Sequence, residues 1–532
     1  MKKLLFVFVT ILLSSSLFSQ ENLPKDQLTP GFHKGRREAF RQLMPSGSIA
    51  LIFAYPERTF SKDVDHLYHQ NPDLYYLTGY KEPDGLLIIF KDKQGKGDTA
   101  YNEVLFVRKR DPRMEIWTGR RLGVEGAKST LGIAKVLEGK DFPSFPLDLK
   151  SFTKVIAEPI QNDVRTDKSG YDLYGLMQAA EKKGLKTSDD NGAGEYANYL
   201  ANNFDFSNLH MAKEYSNKLI KKNNSWEDNK DLLELLNSQD SVSYERTKAR
   251  ILANPSGTHI YNDIVKTLRE IKTPEELDLI RKSARISALA HAESMKAIKP
   301  EMSERQAEAI HTYVHKYYGA EGEGYPPISG VGANGCILHY EENNSIRLDN
   351  QLLLMDIASE YHGYSADVTR TVPGNGKFSP EQKAIYQLVY DAQDAAISLC
   401  REGGSFAKVE KKASQILSEG LIRLGIIKNA SDVSKYYPHG CSHYIGLDVH
   451  DQGHFEGLKA NMVITVEPGI YIPANSPCDK KWWNIGVRIE DDVLITKTGH
   501  EILSADAPRK WQDVEKKASE KSSFKSISLP KL

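Results

Sequence analysis

Acidic residues placed on apolar, strand-like runs are the feature that most restricts how this chain can fold. Asp356 ends one such run, Glu467 closes a second and Glu490 lies in a third, while Asp367 follows Asp356 by 11 residues on the next extended run. A hairpin could therefore bring Asp356 and Asp367 together. A buried carboxylate is costly unless an opposite charge or a metal ion binds it. Any one of these acids could be an ion-paired residue, but four of them indicate a shared cation site.

A histidine-rich segment strengthens this interpretation. Residues 439–451 read HGCSHYIGLDVHD and contain His439, His443 and His450, three of the 15 histidines in the chain. Four carboxylates with one imidazole form an oxygen-rich donor set, which suits pairs of Mn²⁺, Co²⁺, Fe²⁺ or Zn²⁺ ions. Two metals held by shared carboxylates can polarise a carbonyl group and activate water, which is hydrolytic chemistry. Period-two alternation also places Arg488 on the strand face of Glu490.

Two other motifs indicate no additional site. Residues 330–335 match the G-x-G-x-x-G pattern, but a dinucleotide site needs a helix after that loop. We expect a strand over residues 336–340 instead, so the pattern does not predict nucleotide binding. His311 and His315 are four residues apart on a predicted helix, yet Thr312 stands where a zinc-binding H-E-x-x-H motif has glutamate. We therefore expect two histidines on a helix surface.

The order of elements predicts two domains. Strand-like runs at 48–54, 85–91 and 103–108 indicate an α/β domain over residues 28–265, with a polar, helical insertion at about 165–255. Capping signals at Thr273, Ser303 and Ser379 begin helices, and a fourth helix is predicted from about Ser405 to Leu424. Extended runs lie between and after these helices, which predicts an α+β domain over residues 266–508. Residues 509–532 are expected to form a polar, frayed tail.

The first residues are typical of a secretory signal peptide. Lys2 and Lys3 precede an apolar run from Leu4 to Leu13, and a serine-rich stretch follows, so we expect removal of residues 1–19 and export to the periplasm or beyond. The run is too short for a stable span, which needs about 20 residues, and we expect no membrane span elsewhere. A net charge of −1 gives no reason to expect nucleic acid as a partner. The four cysteines lack C-x-x-C spacing, so we expect free thiols.

Several of these segments resemble a known family, the pita-bread metallopeptidases, and most closely its aminopeptidase P members. The resemblance covers residues 31 to about 130 and 265 to 506. It rests on the histidine-rich segment, on NGCILHY at 334–340, on VEPGIY at 466–471 and on VRIED at 487–491. In the N-terminal part, YLTG at 76–79 and WTGRR at 117–121 resemble the family's N-terminal domain. The resemblance implies an α+β fold with a C-terminal pita-bread catalytic domain after an α/β N-terminal domain.

The resemblance also implies a role for each site residue. It implies two divalent metal ions, Mn²⁺ first with Co²⁺ or Zn²⁺ as alternatives, bound by Asp356, Asp367, His443, Glu467 and Glu490. Asp367 and Glu490 would bridge the two ions. Catalytic proton transfer and substrate handling would fall to His339, His450 and Glu467. The residues expected to line the pocket or to orient the ligands are His439, Tyr471 and Arg488.

The implied activity is release of the first residue from peptides that have proline at the second position. Prolidase, which cuts Xaa-Pro dipeptides, remains an alternative, although Ser442 before His443 favours an aminopeptidase. A binding protein on an inactive pita-bread fold is disfavoured because all five ligand positions are filled. We also expect a homodimer or a larger homo-oligomer. The segment 323–328 follows the family pattern only loosely, which leaves the adjacent pocket wall open.

Overall fold

The N-terminal domain is built on one mixed sheet. The computed structural model describes residues 26–158, 163–166, 169–185 and 192–526, so the predicted signal peptide at 1–19 lies outside the described residues. The strands of this domain are β1 Ile49–Phe53, β2 Thr59–Ser61, β3 Val64–Asp65, β4 Leu86–Gln94, β5 Tyr101–Val107, β6 Val136–Glu138 and β7 Val155–Ala157. The sheet order is β6-β5-β4-β1-β7, with parallel pairs at both edges, and β2 and β3 form a separate hairpin. The predicted α/β domain is therefore present.

Helices flank this sheet and then form a layer of their own. The helices before the sheet's last strand are α1 Pro30–Leu43, α2 Pro72–Thr78, α3 Pro112–Thr118 and α4 Gly123–Leu131. The segment predicted to be helical contains α5 Leu173–Lys182, α6 Ala193–Asn203, α7 Leu209–Lys222, α8 Lys230–Leu236 and α9 Ser241–Ala253. Helices α6 to α9 enclose a separate apolar cluster around Trp226, Leu235 and Tyr244. The segment thus has a core, although its composition is polar.

The C-terminal domain follows a connecting helix, α10, and the four helices α11 to α14 begin where the sequence predicts. The helices are α10 Gly257–Glu270, α11 Pro274–Ala297, α12 Glu304–Tyr317, α13 Pro380–Ile397, α14 Phe406–Arg423 and α15 Trp511–Ala518. Thr273, Ser303 and Ser379 each cap a helix with their side chain and form a reciprocal capping box with the residue three positions later. Each box satisfies backbone groups that a helix start leaves unpaired.

Short antiparallel sheets complete this domain. Its strands are β8 Gly322–Glu323, β9 Ile328–Val331, β10 Leu352–Asp356, β11 Ser359–Tyr361, β12 Tyr364–Ser365, β13 Thr369–Pro373, β14 Val463–Val466, β15 Gly469–Ile472, β16 Ile485–Arg488, β17 Asp491–Ile495 and β18 His500–Ile502. They form the sheets β13-β10-β9, β12-β11-β8, β14-β17-β18 and β15-β16. Two runs predicted to be continuous strands are interrupted, one at residues 366–368 and the other at 489–490. These interruptions contain Asp367 and Glu490.

Three local predictions were wrong. Residues 336–340 form no strand, because the chain makes a 3-10 turn over Asn334–Cys336 and then bends. His311 and His315 are fully buried, because the face of α12 that carries them packs against His291 of α11. Residues 511–518 of the predicted tail form helix α15, whose Val514 is completely buried.

The two domains share one apolar core. The cluster that contains Phe40 and Leu74 of the N-terminal domain continues through Tyr261 of α10 to Ile280 and Ile445 of the C-terminal domain. Burial of such side chains stabilises the junction by about 25 cal/mol per Å² of apolar area. In the part of the chain that the structure describes, no helix is long and apolar enough to cross a membrane.

Candidate metal centre

The predicted site residues meet in one cavity of the C-terminal domain, of about 470 Å³. Of the predicted residues, those that line it are His339, Asp356, Asp367, His439, His443, His450, Glu467, Arg488 and Glu490. They come from segments that are up to about 150 residues apart in sequence. Tyr471 is the exception, since it is buried and contacts two lining residues from behind.

Strand register explains why the carboxylates converge. Asp356 is the last residue of β10 and pairs with Thr369, the first residue of β13, so Asp367 lies just before the neighbouring strand. Val466, the last residue of β14, pairs with Asp491 of β17. Glu467 therefore follows one strand where Glu490 precedes its neighbour, and all four acids face the same space.

The distances are those of a metal-binding cluster. Ligand atoms of Asp367, His443 and Glu490 all lie within 4.8 Å of one another. His443 Nε2 is 3.4 Å from Asp367 Oδ2 and 3.4 Å from Glu467 Oε1. His443 Nδ1 is 2.9 Å from its neighbour's carbonyl, Tyr444 O, so Nδ1 carries the proton and Nε2 faces the acids.

The protein alone leaves this cluster short of positive charge. Burial and repulsion from neighbouring carboxylates raise the pKa of Asp367, bring the pKa of Glu467 to about 7 and hold the pKa of Glu490 well above its usual value. Burial alone would lower the pKa of His443, but Asp367 and Glu467 outweigh it and raise that pKa to about 9. One cationic imidazole and the guanidinium of Arg488, which pairs with Asp356, leave four carboxylates with excess negative charge, and divalent cations can balance it. The donor set and its geometry thus fit divalent metal ions.

A layer of polar side chains orients the ligands from behind. Arg488 donates from Nη2 to Asp356 Oδ2 at 2.5 Å and from Nη1 to the hydroxyl of Tyr471 at 2.9 Å. Thr369 donates to Glu490 Oε2 at 2.6 Å, and the backbone N–H of Asp367 donates to the buried carboxylate of Asp492. Fixed outer partners of this kind hold metal ligands in place and raise metal affinity.

Three histidines line the cavity beside the ligand cluster. His339 and His450 are exposed to it, and the ring of His450 lies 4.5 Å from the ring of His443 in an edge-to-face contact. Burial and the neighbouring histidines lower the pKa of His450. His439 lies 2.8 Å from the Tyr471 hydroxyl, and burial, with help from Arg488, lowers its pKa to about 4. Imidazole rings in this position can contact a substrate.

Tyr325 is a site residue that the sequence did not predict. Its hydroxyl oxygen lies 2.5 Å from Asp356 Oδ1 and 2.7 Å from Asp367 Oδ1, and its single proton can serve only one of them at a time. Tyr325 belongs to segment 323–328, which follows the family pattern only loosely. Nothing in the sequence around it indicates a contact with residues 31 and 42 positions away.

His291 was also missed, because helix α11 predicts only packing. Its Nε2 donates to the carbonyls of Ile357 and Val368, at 3.1 and 2.9 Å, which directly follow Asp356 and Asp367. One buried side chain thus links the backbones of the two segments that carry these acids.

Comparisons with known proteins show the family to which this chain belongs. Residues 278–497 match the metallopeptidase family M24, and residues 33–155 match the aminopeptidase P N-terminal domain. The chain is 33% identical to a Xaa-Pro aminopeptidase of Escherichia coli over 90% of this chain and 96% of that protein. The structure of E. coli aminopeptidase P with the inhibitor Pro-Leu matches with a TM-score of 0.71 and 30% identity, covering 92% of this chain and 98% of that chain. A zinc-substituted E. coli aminopeptidase P with bound product matches over the same shares at a TM-score of 0.70 and 30% identity. This chain therefore belongs to the metallopeptidase family M24, as a metallo-aminopeptidase of the aminopeptidase P type.

Proposed function

We propose that this protein releases the N-terminal residue from peptides whose second residue is proline, with two divalent metal ions bound. One observation carries the proposal: four carboxylates and His443 face one cavity that three further histidines also line. When bound, the ions would supply polarisation of the scissile carbonyl group and activation of water. The oxygen-rich donor set favours Mn²⁺, with Co²⁺ and Zn²⁺ as alternatives. Prolidase activity is disfavoured because the E. coli relatives described above are aminopeptidases.

The side chains of the cavity divide into those that handle protons and those that position the peptide. Glu467 holds one carboxylate oxygen 3.4 Å from His443 and the other 3.6 Å from His439 Nδ1, so it can carry a proton towards the proline nitrogen. A Xaa-Pro bond has no N–H, so its nitrogen must receive that proton as the bond breaks. The free amino group of the first residue would bind at the metal centre, near Asp356.

Apolar residues beside the histidines provide room for the proline ring. Ile328, Leu338 and Val449 line the cavity together with His339 and His450. A compact, partly apolar pocket favours the ring of proline at the second position over the methyl group of alanine. The pocket would thus select the residue after the cleaved bond.

The first prediction concerns substrate choice. After chelation and addition of Mn²⁺, we expect the protein to cleave Xaa-Pro-Yaa tripeptides and to cleave Xaa-Ala-Yaa analogues about 10²-fold more slowly in kcat/KM, since poorly filled pockets lose a few kcal/mol. N-acetylated Xaa-Pro-Yaa should also be slow, because it lacks the charged amino group. Product release measured by chromatography tests this, with Co²⁺ and Zn²⁺ in parallel.

Two outcomes of the same assay would contradict the proposed function. Faster cleavage of an Xaa-Pro dipeptide than of the tripeptide would make the protein a prolidase. Equal rates with alanine and proline at the second position would refute the proline preference.

We also propose that the protein is exported. The support is the charged start at Lys2 and Lys3, followed by the apolar run to Leu13 and a serine-rich stretch. The second prediction is that protein recovered from the periplasm or the medium begins near Gln20, as read by N-terminal sequencing. Intact protein that begins at Met1 and stays in the cytoplasm would contradict export.

A further inference from the structure

A buried charge network joins the two domains beside the metal centre. At the C-terminal end of α10, Arg269 is 2% exposed, yet it contacts three carboxylates. It donates from Nη1 to Asp73 Oδ1 at 2.9 Å and from Nη2 to Asp448 Oδ2 at 2.6 Å, and it forms an ion pair with Asp451. Lys272, also 2% exposed, donates to Asp451 Oδ2 at 2.5 Å. Such a network is costly to bury unless its geometry is well satisfied, as it is here.

Two acids of this network, Asp448 and Asp451, belong to the C-terminal domain and lie on either side of His450 in the sequence. Residues 445–460 contain no helix or strand, and backbone hydrogen bonds to other segments hold only the two ends of this loop, at Ile445, Gly446 and Leu458. Side chains from the end of α10 hold its middle part, since Glu270 Oε2 also accepts from the backbone N–H of His454 at 2.9 Å. The contact is tight: a Cβ atom on Gly446 would lie 2.0 Å from Asp451 Oδ2 and 2.7 Å from Lys272 Nζ.

The third carboxylate belongs to the other domain. Asp73 lies in α2, and its second oxygen accepts from the Tyr261 hydroxyl at 2.6 Å. The guanidinium of Arg269 is planar and rigid, so it can satisfy Asp73 and the loop acids together only in one orientation. The position of α2 therefore fixes the orientation of Arg269, and Arg269 fixes the loop.

We infer that Arg269 is a positioning residue that places His450 in the cavity and makes that placement depend on the N-terminal domain through Asp73. This inference rests on the proposed function, since it gives His450 a part in the reaction. The N-terminal domain then contributes to catalysis by orienting Arg269 through Asp73, although Asp73 lies on helix α2, outside the catalytic domain.

The test compares Arg269→Lys and Asp73→Asn with Tyr75→Phe. Tyr75 lies on the same helix and donates across the domain junction to the His362 carbonyl at 3.0 Å, so its replacement removes an interdomain hydrogen bond that does not touch the loop. Lysine keeps the charge of Arg269 but lacks the planar fork whose two terminal nitrogens point separately at Asp73 and at the loop acids. We expect kcat to fall about 10- to 100-fold in Arg269→Lys and less in Asp73→Asn, with KM within about twofold and metal content unchanged. Tyr75→Phe should keep the wild-type kcat.

A double variant separates positioning from general destabilisation. If Arg269 acts through His450, Arg269→Lys should lower kcat no further once His450 is alanine. Equal falls in both backgrounds would overturn the inference.

Hydrogen exchange gives a readout that does not depend on activity. Amide hydrogen exchange can be measured by mass spectrometry in peptides that cover residues 445–458. Exchange there should be faster in Arg269→Lys and Asp73→Asn than in the wild type and in Tyr75→Phe. Wild-type exchange rates in both variants would also overturn the inference. Absence of Xaa-Pro cleavage by the wild-type protein would refute the proposed function alone, because the exchange result still decides whether Arg269 holds the loop.

Discussion

Replacing Asp367 by alanine is expected to remove most bound metal and to lower kcat/KM by more than about 10³-fold. Its carboxylate faces His443 at 3.4 Å and shares the Tyr325 hydroxyl with Asp356, so it stands at the centre of the ligand cluster. Losing a central ligand forfeits several kcal/mol of charge stabilisation, at 1.36 kcal/mol for each tenfold in rate. Elemental analysis after dialysis should find close to two metal ions per wild-type chain and fewer than one in the variant.

A matched control is Asp84→Ala. Asp84 is a mostly buried acid of the N-terminal domain that pairs with Arg108 and does not line the cavity, so its loss removes a similar group outside the site. The control should keep both metal ions. Full metal content and activity in Asp367→Ala would rule out a bridging role for this residue, and the same reasoning applies to Glu490→Ala.

The second large effect is expected from the histidines that line the cavity. Replacing His339 or His450 by alanine should lower kcat about 10²- to 10⁴-fold while metal content stays near that of the wild type. Both rings are exposed to the cavity, unlike His443, whose Nε2 faces two carboxylates. An imidazole in such a place can donate or accept a proton and contact the peptide.

Parallel kinetics and elemental analysis check this result. His500→Ala, which changes an exposed histidine on β18, serves as the control and should behave as the wild type. Loss of metal in both His339→Ala and His450→Ala would mean that these residues are ligands.

Local signals made much of the fold predictable from the sequence. The capping boxes at Thr273, Ser303 and Ser379 act within four residues, so the helix starts can be read directly. Acids at the ends of apolar runs, such as Asp356 and Glu467, can be recognised in the sequence because a buried carboxylate costs free energy unless a cation binds it. These two kinds of signal indicate where helices of the C-terminal domain begin and which acids could bind a cation, whereas the full ligand set with His443 came from the family resemblance.

What the sequence did not reveal depends on contacts between distant segments. Tyr325 reaches its carboxylates because it precedes β9, whose first residue, Ile328, pairs with Asp356 of β10. Arg269 meets Asp73 across 196 residues. His311 and His315 have the spacing of a helix surface, but which face of a helix is covered depends on its neighbour. The strand interruptions at Asp367 and Glu490 were missed for the same reason, since the side chain turns towards partners that are remote in sequence.

The separate apolar cluster of helices α6 to α9 has a consequence for how this protein loses its structure. Its members lie between Ala193 and Ile251, apart from the core that joins the two domains. A region with a core of its own can open while the rest of the molecule stays folded. Heating would then produce more than one transition, and the first would report the melting of this layer. Heat-treated protein that has lost part of its helical signal could therefore still hydrolyse peptides.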